Sequence, residues 1–417
     1  MRTRSIAPPP AAAAGIDLLG AAAGIGERLV REAIWYRGRC NWIGVDAAAT
    51  RRTMAHRALG PELGDGTAGI AVFLAETAAR TGSDAARRTA LGAIGQALAH
   101  AGDAPERGLY AGRPGIAYAA ARCGAVLGDE RLRDGAARLA GRRPPPADPQ
   151  ATPLDLHGGT PGAIAAYLAL AQQLGDVRLV ARAARLGDEL AAGARRQPIG
   201  WSWSRGSEHG LCGMAHGAAG AAWALLELFA ATGDDRHRAA AERAIDYEQH
   251  WFDATRGNWP DLRGIERREP RGAFTAPFAT AWDHGAPGIA LSRLRAWRVL
   301  GDERHRAAAA IALATTAASV ERRLLEPAAN FSLAQGLAGN ADVLLLGADV
   351  LPGGPALARR AGEIGAGRYA TSLDGWPCGA GRTPALLTGD AGIGLFLLRT
   401  ADPALPSALL PVAHSPR

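Results

Sequence analysis

The chain has 417 residues, of which 48% are hydrophobic and 21% charged, and its formal net charge is +7. Every basic residue is an arginine. The arginines are spread along helix-like stretches among acidic residues, which is typical of solvated helix faces and argues against nucleic-acid binding. No apolar run reaches the roughly 18 residues of a membrane span, so no membrane-spanning helix is predicted. The four cysteines are far apart and form no C-x-x-C pair, so they predict neither a disulfide framework nor a zinc ribbon.

The N-terminal stretch is weakly apolar and is interrupted by Pro8, Pro9 and Pro10. We interpret residues 1–20 as a flexible tail that leads into a first helix, and not as a signal sequence. Residues 21–417 are predicted to form a single domain. A cytoplasmic protein is the expectation.

One short pattern, Gly-x-x-Gly followed by an apolar helical run, occurs seven times along the chain. Each interval between patterns has room for a buried inner helix and an amphipathic outer helix, such as residues 177–196. Seven inner and seven outer helices predict an all-α fold, an α/α toroid. The alternative, an open solenoid, would expose apolar faces at both ends. The second glycines of the patterns are Gly69, Gly115, Gly162, Gly220, Gly288, Gly339 and Gly392.

These glycines predict a tight start for each inner helix, where a Cβ would clash with a neighbouring backbone. All seven patterns are then expected at one end of the ring, around a central cavity. The residues predicted to line its mouth are Asp65, Ala111, Gly158, His216, His284, Gln335 and Thr388.

Roughly residues 50–410 resemble the lanthionine synthetase C-like (LanC-like) cyclase family. The resemblance rests on several segments in order, and the last looks most like the cyclase domain of class II lanthipeptide synthetases. These segments are GMAHGAAGAAWALLEL (213–228), AWDHGAPGIALSRL (281–294), SLAQGLAGNADVLLL (332–346) and PALLTGDAGIGLFLLRTADPALPSALL (384–410).

The resemblance implies a toroid that binds a ribosomally made precursor peptide with dehydrated Ser and Thr residues. In the family, two cysteines and a histidine hold a zinc ion that activates a peptide thiol for thioether formation. Here the corresponding positions carry Asp283, Ala334 and Gln335. Because all three ligand types are replaced, we expect no family zinc site and no cofactor. A metal site rebuilt from Asp283, His284 and His216 is left open.

Four residues are predicted to be catalytic by acid/base chemistry. His216 matches the family's acid/base histidine, Asp155 matches an aspartate before its third glycine motif, and Asp283 and His284 follow Trp282. Each has a structural alternative, because His216 could bind backbone groups at a helix start, and Asp155 or Asp283 could cap a helix. The residues predicted to contact substrate are Trp282, Gln335, Trp203, Arg205 and His157.

Two functions follow from these expectations. The first is a zinc-independent LanC-like enzyme that forms rings in a ribosomally synthesised peptide by thioether (Michael-type) addition or a related reaction. The second is a catalytically inactive scaffold that binds a precursor peptide or partner modification enzymes. Any dehydrated substrate is expected to come from a separate enzyme. A third, weaker hypothesis is carbohydrate chemistry with Asp65, Asp155 and Asp283.

Overall fold

The chain folds into a ring of paired helices. The computed structural model describes residues 16–45, 56–142, 153–204, 209–263, 276–372, 374–379 and 381–411. The inner helices are α2 (Thr67–Thr81), α4 (Arg113–Leu127), α6 (Thr160–Leu174), α8 (Ala218–Thr232), α10 (Ala286–Leu300), α12 (Leu337–Leu346) and α14 (Asp390–Ala401). The outer helices are α1 (Leu18–Glu32), α3 (Asp84–Ala99), α5 (Glu130–Gly141), α7 (Arg178–Ala192), α9 (Asp235–His250), α11 (Glu303–Arg323) and α13 (Gly354–Tyr369). The predicted all-α toroid with seven inner and seven outer helices is confirmed.

The ring is closed by its two ends. Each inner helix packs against the inner helix of the next repeat, and α14 packs against α2. Helix α1 lies along α14 and serves as its outer partner, so the seventh pair combines the two ends of the described chain. Helix α1 begins at Leu18 because the Asp17 side chain accepts a hydrogen bond from Gly20 N. This start lies three residues before the predicted domain boundary, while residues 1–15 of the predicted tail lie outside the described part.

The burial of the two layers explains the two sequence patterns. Residues 218–228 of α8 are all buried, as expected for a helix that is apolar on every side. In α7 the buried residues recur on one face, at Leu179, Ala183, Leu186 and Leu190. The inner helices therefore form the core, and the outer helices cover it with one apolar face each.

The second glycine of each repeat is required by close backbone packing. A Cβ at any of the seven positions would overlap the carbonyl oxygen of the residue six positions earlier. The loop before each inner helix therefore folds back onto the first turn of that helix. Any larger residue would push this loop out of the ring.

Seven backbone hydrogen bonds of 2.8–3.4 Å join these loops into a circle. Each loop donates an N–H to the carbonyl of the next, and the last loop returns to the first. All seven glycine motifs therefore lie at one end of the ring, here called the motif end. The residues linked in this way are Gly64, Tyr110, His157, Ala215, Asp283, Ala334 and Leu387.

Strands are few and short in the described residues, as expected. Three two-stranded antiparallel hairpins decorate the ring, pairing β1 with β2, β3 with β4 and β5 with β6. The strands are β1 (Ile34–Tyr36), β2 (Arg39–Asn41), β3 (Ile43–Val45), β4 (His56–Ala58), β5 (Arg195–Gln197) and β6 (Gly200–Ser202). In the described part of the chain, no helix is both long and apolar enough to cross a membrane.

The segment after α14, Leu405–Leu410, fills the middle of the ring. Ser407 Oγ binds Asp342 of α12, and Arg122 of α4 donates to the carbonyl of Pro406 at 3.2 Å. Because α4 and α12 are not neighbours in the ring, a segment that binds both must lie inside it. This segment therefore crosses the ring beneath the motif end, and we call the space above it the basin.

Candidate functional site

Three histidines from consecutive repeats lie in a row at the motif end. The ring centroids of His157 and His216 are 5.5 Å apart, and those of His216 and His284 are 5.8 Å apart. The backbone circle brings them together, because His157 N binds Ala215 O and Ala215 N binds Asp283 O. Imidazoles can exchange protons near neutral pH, so this row can perform acid/base chemistry.

Asp155 orients the middle histidine. Its Oδ2 lies 3.0 Å from His216 Nδ1, and its Oδ1 accepts a hydrogen bond from Gly158 N at 2.7 Å. The N-cap of α6 is Gly159, so Asp155 braces the loop and does not cap the helix. A carboxylate on Nδ1 places the N–H of the neutral imidazole there and leaves Nε2 as the basic nitrogen. His216 is 37% exposed at its side chain, so solvent reaches it.

The floor of the basin contains polar atoms without partners among the described residues. His284 is 3% exposed and Trp282 is 1% exposed. His284 Nε2 and Trp282 Nε1 nevertheless lack a hydrogen bond within the described chain. Buried polar atoms normally have partners, so Trp282 Nε1 and His284 Nε2 are two unsatisfied groups in one loop, on either side of Asp283.

Asp283 is bound to Gln335, and the resemblance implies that both stand where related chains carry zinc ligands. Gln335 Nε2 donates to Asp283 Oδ2 at 2.8 Å, and Asp283 N donates to the carbonyl of Ala334 at 3.4 Å. The third position, Ala334, has no donor atom in its side chain. This set does not fit zinc, which prefers thiolate and imidazole ligands. The described residues contain no group of three His, Cys, Asp or Glu side chains arranged to hold a metal.

The electrostatics favour neutral imidazoles beside an ionised carboxylate. Burial lowers the pKa of His157, and the nearby His216 lowers it further, against the opposing effect of Asp155. Burial also lowers the pKa of His284, although Asp283 opposes this. For Asp155, burial raises the pKa, but the hydrogen bond and charge of His216 outweigh it, and the net pKa is lowered.

The loop that carries Asp283 and His284 is fixed by two buried asparagines. Asn258 Oδ1 accepts from Ala286 N at 2.8 Å, and Asn258 Nδ2 donates to the carbonyl of Ala279 at 3.0 Å. Asn340 Nδ2 donates to the carbonyl of Thr280 at 2.9 Å. The N-cap of α10 is Gly285, with no side-chain cap, so Asp283 does not cap this helix either.

One residue predicted to contact substrate, Trp203, lies away from the basin. Trp203 is 4% exposed and its Nε1 donates to the carbonyl of Leu190 in α7 at 2.9 Å, so packing accounts for it. Arg205 lies outside the described residues. Burial raises the pKa of the Cys212 thiol well above the usual range. Burial likewise raises the pKa of Cys378 to about 12.

Sequence reasoning missed Tyr110, which joins the floor of the basin to the centre of the ring. Its ring stacks with His157 at 6.0 Å and meets Trp282 edge-on at 5.2 Å. Its hydroxyl donates to the carbonyl of Ala408 at 2.8 Å. The repeat does contain a signal that could have identified Tyr110. Tyr110 and His157 both stand two residues before the first glycine of their motifs, so the two positions are equivalent in the ring.

The fold and this basin define a class of protein, α/α toroids with a polar site at the ends of their inner helices. The profile described as lanthionine synthetase C-like protein matches residues 57–410. The chain therefore belongs to the lanthionine synthetase C-like family. No curated protein matches it in sequence.

Solved structures share this architecture at low sequence identity. Nisin cyclase is 17% identical with a TM-score of 0.64, over 84% of this chain and 92% of its own. The GH76A α-1,6-mannanase of Salegentibacter sp. HEL1_6 is 13% identical with a TM-score of 0.51, over 94% and 100%. The Lin0763 protein of Listeria innocua is 10% identical with a TM-score of 0.51, over 93% and 98%. At these identities the likeness concerns the fold alone.

Proposed function

We propose that this chain is a zinc-independent LanC-like enzyme that forms rings in a ribosomally synthesised precursor peptide. The observation that carries the proposal is the hydrogen bond between Asp155 and His216, at the centre of the histidine row. A carboxylate that orients a solvent-accessible imidazole is the arrangement of a general base. A protein that only binds peptides would have no need of it.

In the proposed reaction, His216 Nε2 takes the proton of a peptide cysteine thiol. The sulfur then adds to the β-carbon of a dehydrated Ser or Thr residue, and the electrons of the carbon–carbon double bond move toward the α-carbon. A proton delivered to that carbon, from His216 or His284, completes the thioether. An ordinary thiol has a pKa of about 8.5, so a few per cent is ionised at pH 7 and a positioned base increases that fraction.

Asp283 has a separate role in this scheme. Its carboxylate neighbours His284 along the chain and is held by the amide of Gln335. It balances positive charge on the histidine row when a proton has been transferred. No step passes through a metal, because the donor set at Asp283, Ala334 and Gln335 does not fit one.

The proposed partners are a precursor peptide, dehydrated by a separate enzyme where dehydration is required, and other modification enzymes in a complex with it. His157 borders the basin and would contact the peptide, whereas the buried Trp282 is proposed only as support for Tyr110. Trp203 is proposed only as packing.

The carbohydrate alternative receives no support from the carboxylates of the basin. Asp65 is bound by Thr388 at 2.7 Å, Asp155 by His216 and Asp283 by Gln335. Each carboxylate is thus tied to a different partner, whereas glycosidases use two that face one bond.

The test combines metal analysis with a product assay. Purified protein is incubated with the dehydrated precursor encoded beside it, and thioether formation is followed by mass spectrometry after alkylation of free thiols. We expect turnover without stoichiometric zinc, and its loss in His216→Ala and Asp283→Ala. Stoichiometric zinc in the purified protein would refute zinc independence. Equal product with the wild type and both variants would refute the acid/base mechanism, and precursor binding without product in any of them would favour the scaffold.

A further inference from the structure

A cavity of ≈ 590 Å³ opens beside the histidine row. Its inner end is formed by Tyr110, Ala111 and His157 of the basin. One wall is the end of β4 and the stretch after it, residues 57–62, and the other is the end of α3 with the turn that follows it. We call this cavity the lateral groove. Its volume is within the range of ligand pockets, and it is continuous with the candidate site through His157.

The charge of the lateral groove is opposite to that of the whole protein. The chain has a net charge of +7, yet among the described residues that line the groove there are three carboxylates, Glu62, Asp65 and Asp103, and one arginine, Arg57. Its other ionisable groups are His100, bound to Asp103 at 3.2 Å, and His157. A cleft that is richer in carboxylates than in basic groups attracts cationic ligands.

Glu62 is a half-buried carboxylate of this groove. Burial raises its pKa and a backbone hydrogen bond lowers it, while the charges of Asp65 and Asp103 raise it and that of Arg57 lowers it, with a net rise. A positive group placed between these carboxylates would relieve both the burial and the mutual repulsion. The apolar part of the lining, which includes Leu59, Pro61 and Pro105, suits the methylene stem of a long basic side chain.

We propose that the lateral groove binds a segment of the substrate peptide that carries a Lys or Arg side chain, next to the residue that reaches the histidine row. This inference rests on the proposed function for the identity of the ligand as a peptide. Two observations favour this occupant. The groove reaches His157 of the histidine row, and its carboxylates are complementary to a positively charged side chain. The groove would thereby orient the peptide, because only one direction puts its basic residue there and its reacting residue at His216.

The test is a binding measurement that does not require turnover. The probe is a short fluorescein-labelled peptide of Gly, Ala and Ser around one central Cys, with a single Lys placed in turn at each other position. Matched peptides carry Gln or Glu in place of Lys. We expect one Lys position to lower the Kd about tenfold relative to Gln, and Glu at the same position to raise it. High salt should reduce this difference, because these charges are partly exposed.

The variant Glu62→Gln/Asp103→Asn removes two carboxylates outside the proposed catalytic residues. We expect it to bring the Lys-to-Gln preference below about twofold. The control Glu130→Gln/Asp235→Asn removes two exposed carboxylates at the opposite end of the ring and should leave the preference unchanged. Absence of any Lys preference in the wild type, or a preference that survives in Glu62→Gln/Asp103→Asn, would overturn the proposal.

The two proposals fail in different ways. If His216→Ala abolishes product but keeps the Lys preference, both stand. If no variant changes product yet the Lys preference depends on Glu62 and Asp103, the groove stands and the mechanism fails. If product depends on His216 while Lys and Gln peptides bind equally, the mechanism stands and the groove proposal fails.

Discussion

The side-chain amide of Gln335 donates to the carboxylate of Asp283 at 2.8 Å. In the family that this chain belongs to, the resemblance places zinc ligands at both positions and at Ala334. The replacements therefore contact each other, and the loops that would bring three ligands together are still adjacent, since Asp283 N binds Ala334 O. The resemblance thus implies that the loops of the family's metal site are kept here while their donor atoms differ.

A first prediction follows for the variant D283C/A334C/Q335H. Because the two loops are still joined, we expect the three new side chains to bind zinc with about one equivalent retained after dialysis. Inductively coupled plasma mass spectrometry measures the metal, and cobalt substitution reports thiolate ligation by its absorption. The single variant D283C should retain none. A triple variant that folds without binding zinc would show that the loops have moved apart.

A second prediction concerns Asp155→Asn, which preserves shape but removes the charge that orients His216. We expect product formation to fall by about 10²- to 10⁴-fold, since the amide selects the wrong tautomer and cannot stabilise the imidazolium. Peptide affinity should change little. Asp176→Asn, a partly exposed carboxylate between α6 and α7, is the control for a lost carboxylate. Wild-type rates in Asp155→Asn would mean that His216 acts without it.

A third prediction is a dependence of stability on pH. The pKa values of His157 and His284 are lowered in the folded protein, whereas an unfolded histidine has a pKa of about 6.5. Between these values the unfolded chain binds more protons, so the stabilisation is complete above about pH 6.5 and is lost as pH falls below it. The lowered pKa of Asp155 acts in the same direction at lower pH, below about 3.9.

Thermal unfolding from pH 7.5 to pH 5 measures this effect. We expect the melting temperature to fall, and to fall less in His157→Gln/His284→Gln. Replacement of His250, which is exposed at the end of α9, should leave the change of melting temperature with pH as in the wild type. If the melting temperature of the double variant fell with pH as much as that of the wild type, His157 and His284 would not be the cause of the pH dependence.

A fourth prediction concerns Gly285, whose φ of +91° differs from the extended N-caps of the other inner helices. Alanine there would be strained, and its Cβ would overlap the carbonyl oxygen of Ala279. We expect Gly285→Ala to lower the free energy of unfolding by more than about 1–2 kcal/mol. Gly24→Ala in α1, where a Cβ meets no atom within 4 Å, should be neutral or stabilising. The free energies of unfolding of the two variants are compared by urea unfolding. Equal stability of both would disprove backbone strain at residue 285.

The sequence predicted the features that recur in every repeat or match a family motif. It missed contacts that occur once and join residues far apart in the chain. The seven glycine motifs predicted the toroid, because each glycine meets the same steric demand. Motif matches also selected Asp155 and His216, which the structure places in contact. By contrast, the bond of Tyr110 to Ala408 spans 298 residues and has no periodic signal. Trp203 looked like a binding residue only because an exposed and a buried tryptophan read alike in a sequence.

The circle of hydrogen bonds has a consequence for how the protein is made. Its last link joins Leu387 to Gly64, and beside it Thr388 binds Asp65, 323 residues away. A ribosome needs roughly 16–65 s to synthesise that stretch at about 5–20 residues per second. Throughout this time the apolar flank of α2 that later meets α14 is uncovered. Nascent chains of this protein should therefore depend on chaperones until the final repeat emerges, far more than the stability of the finished ring suggests.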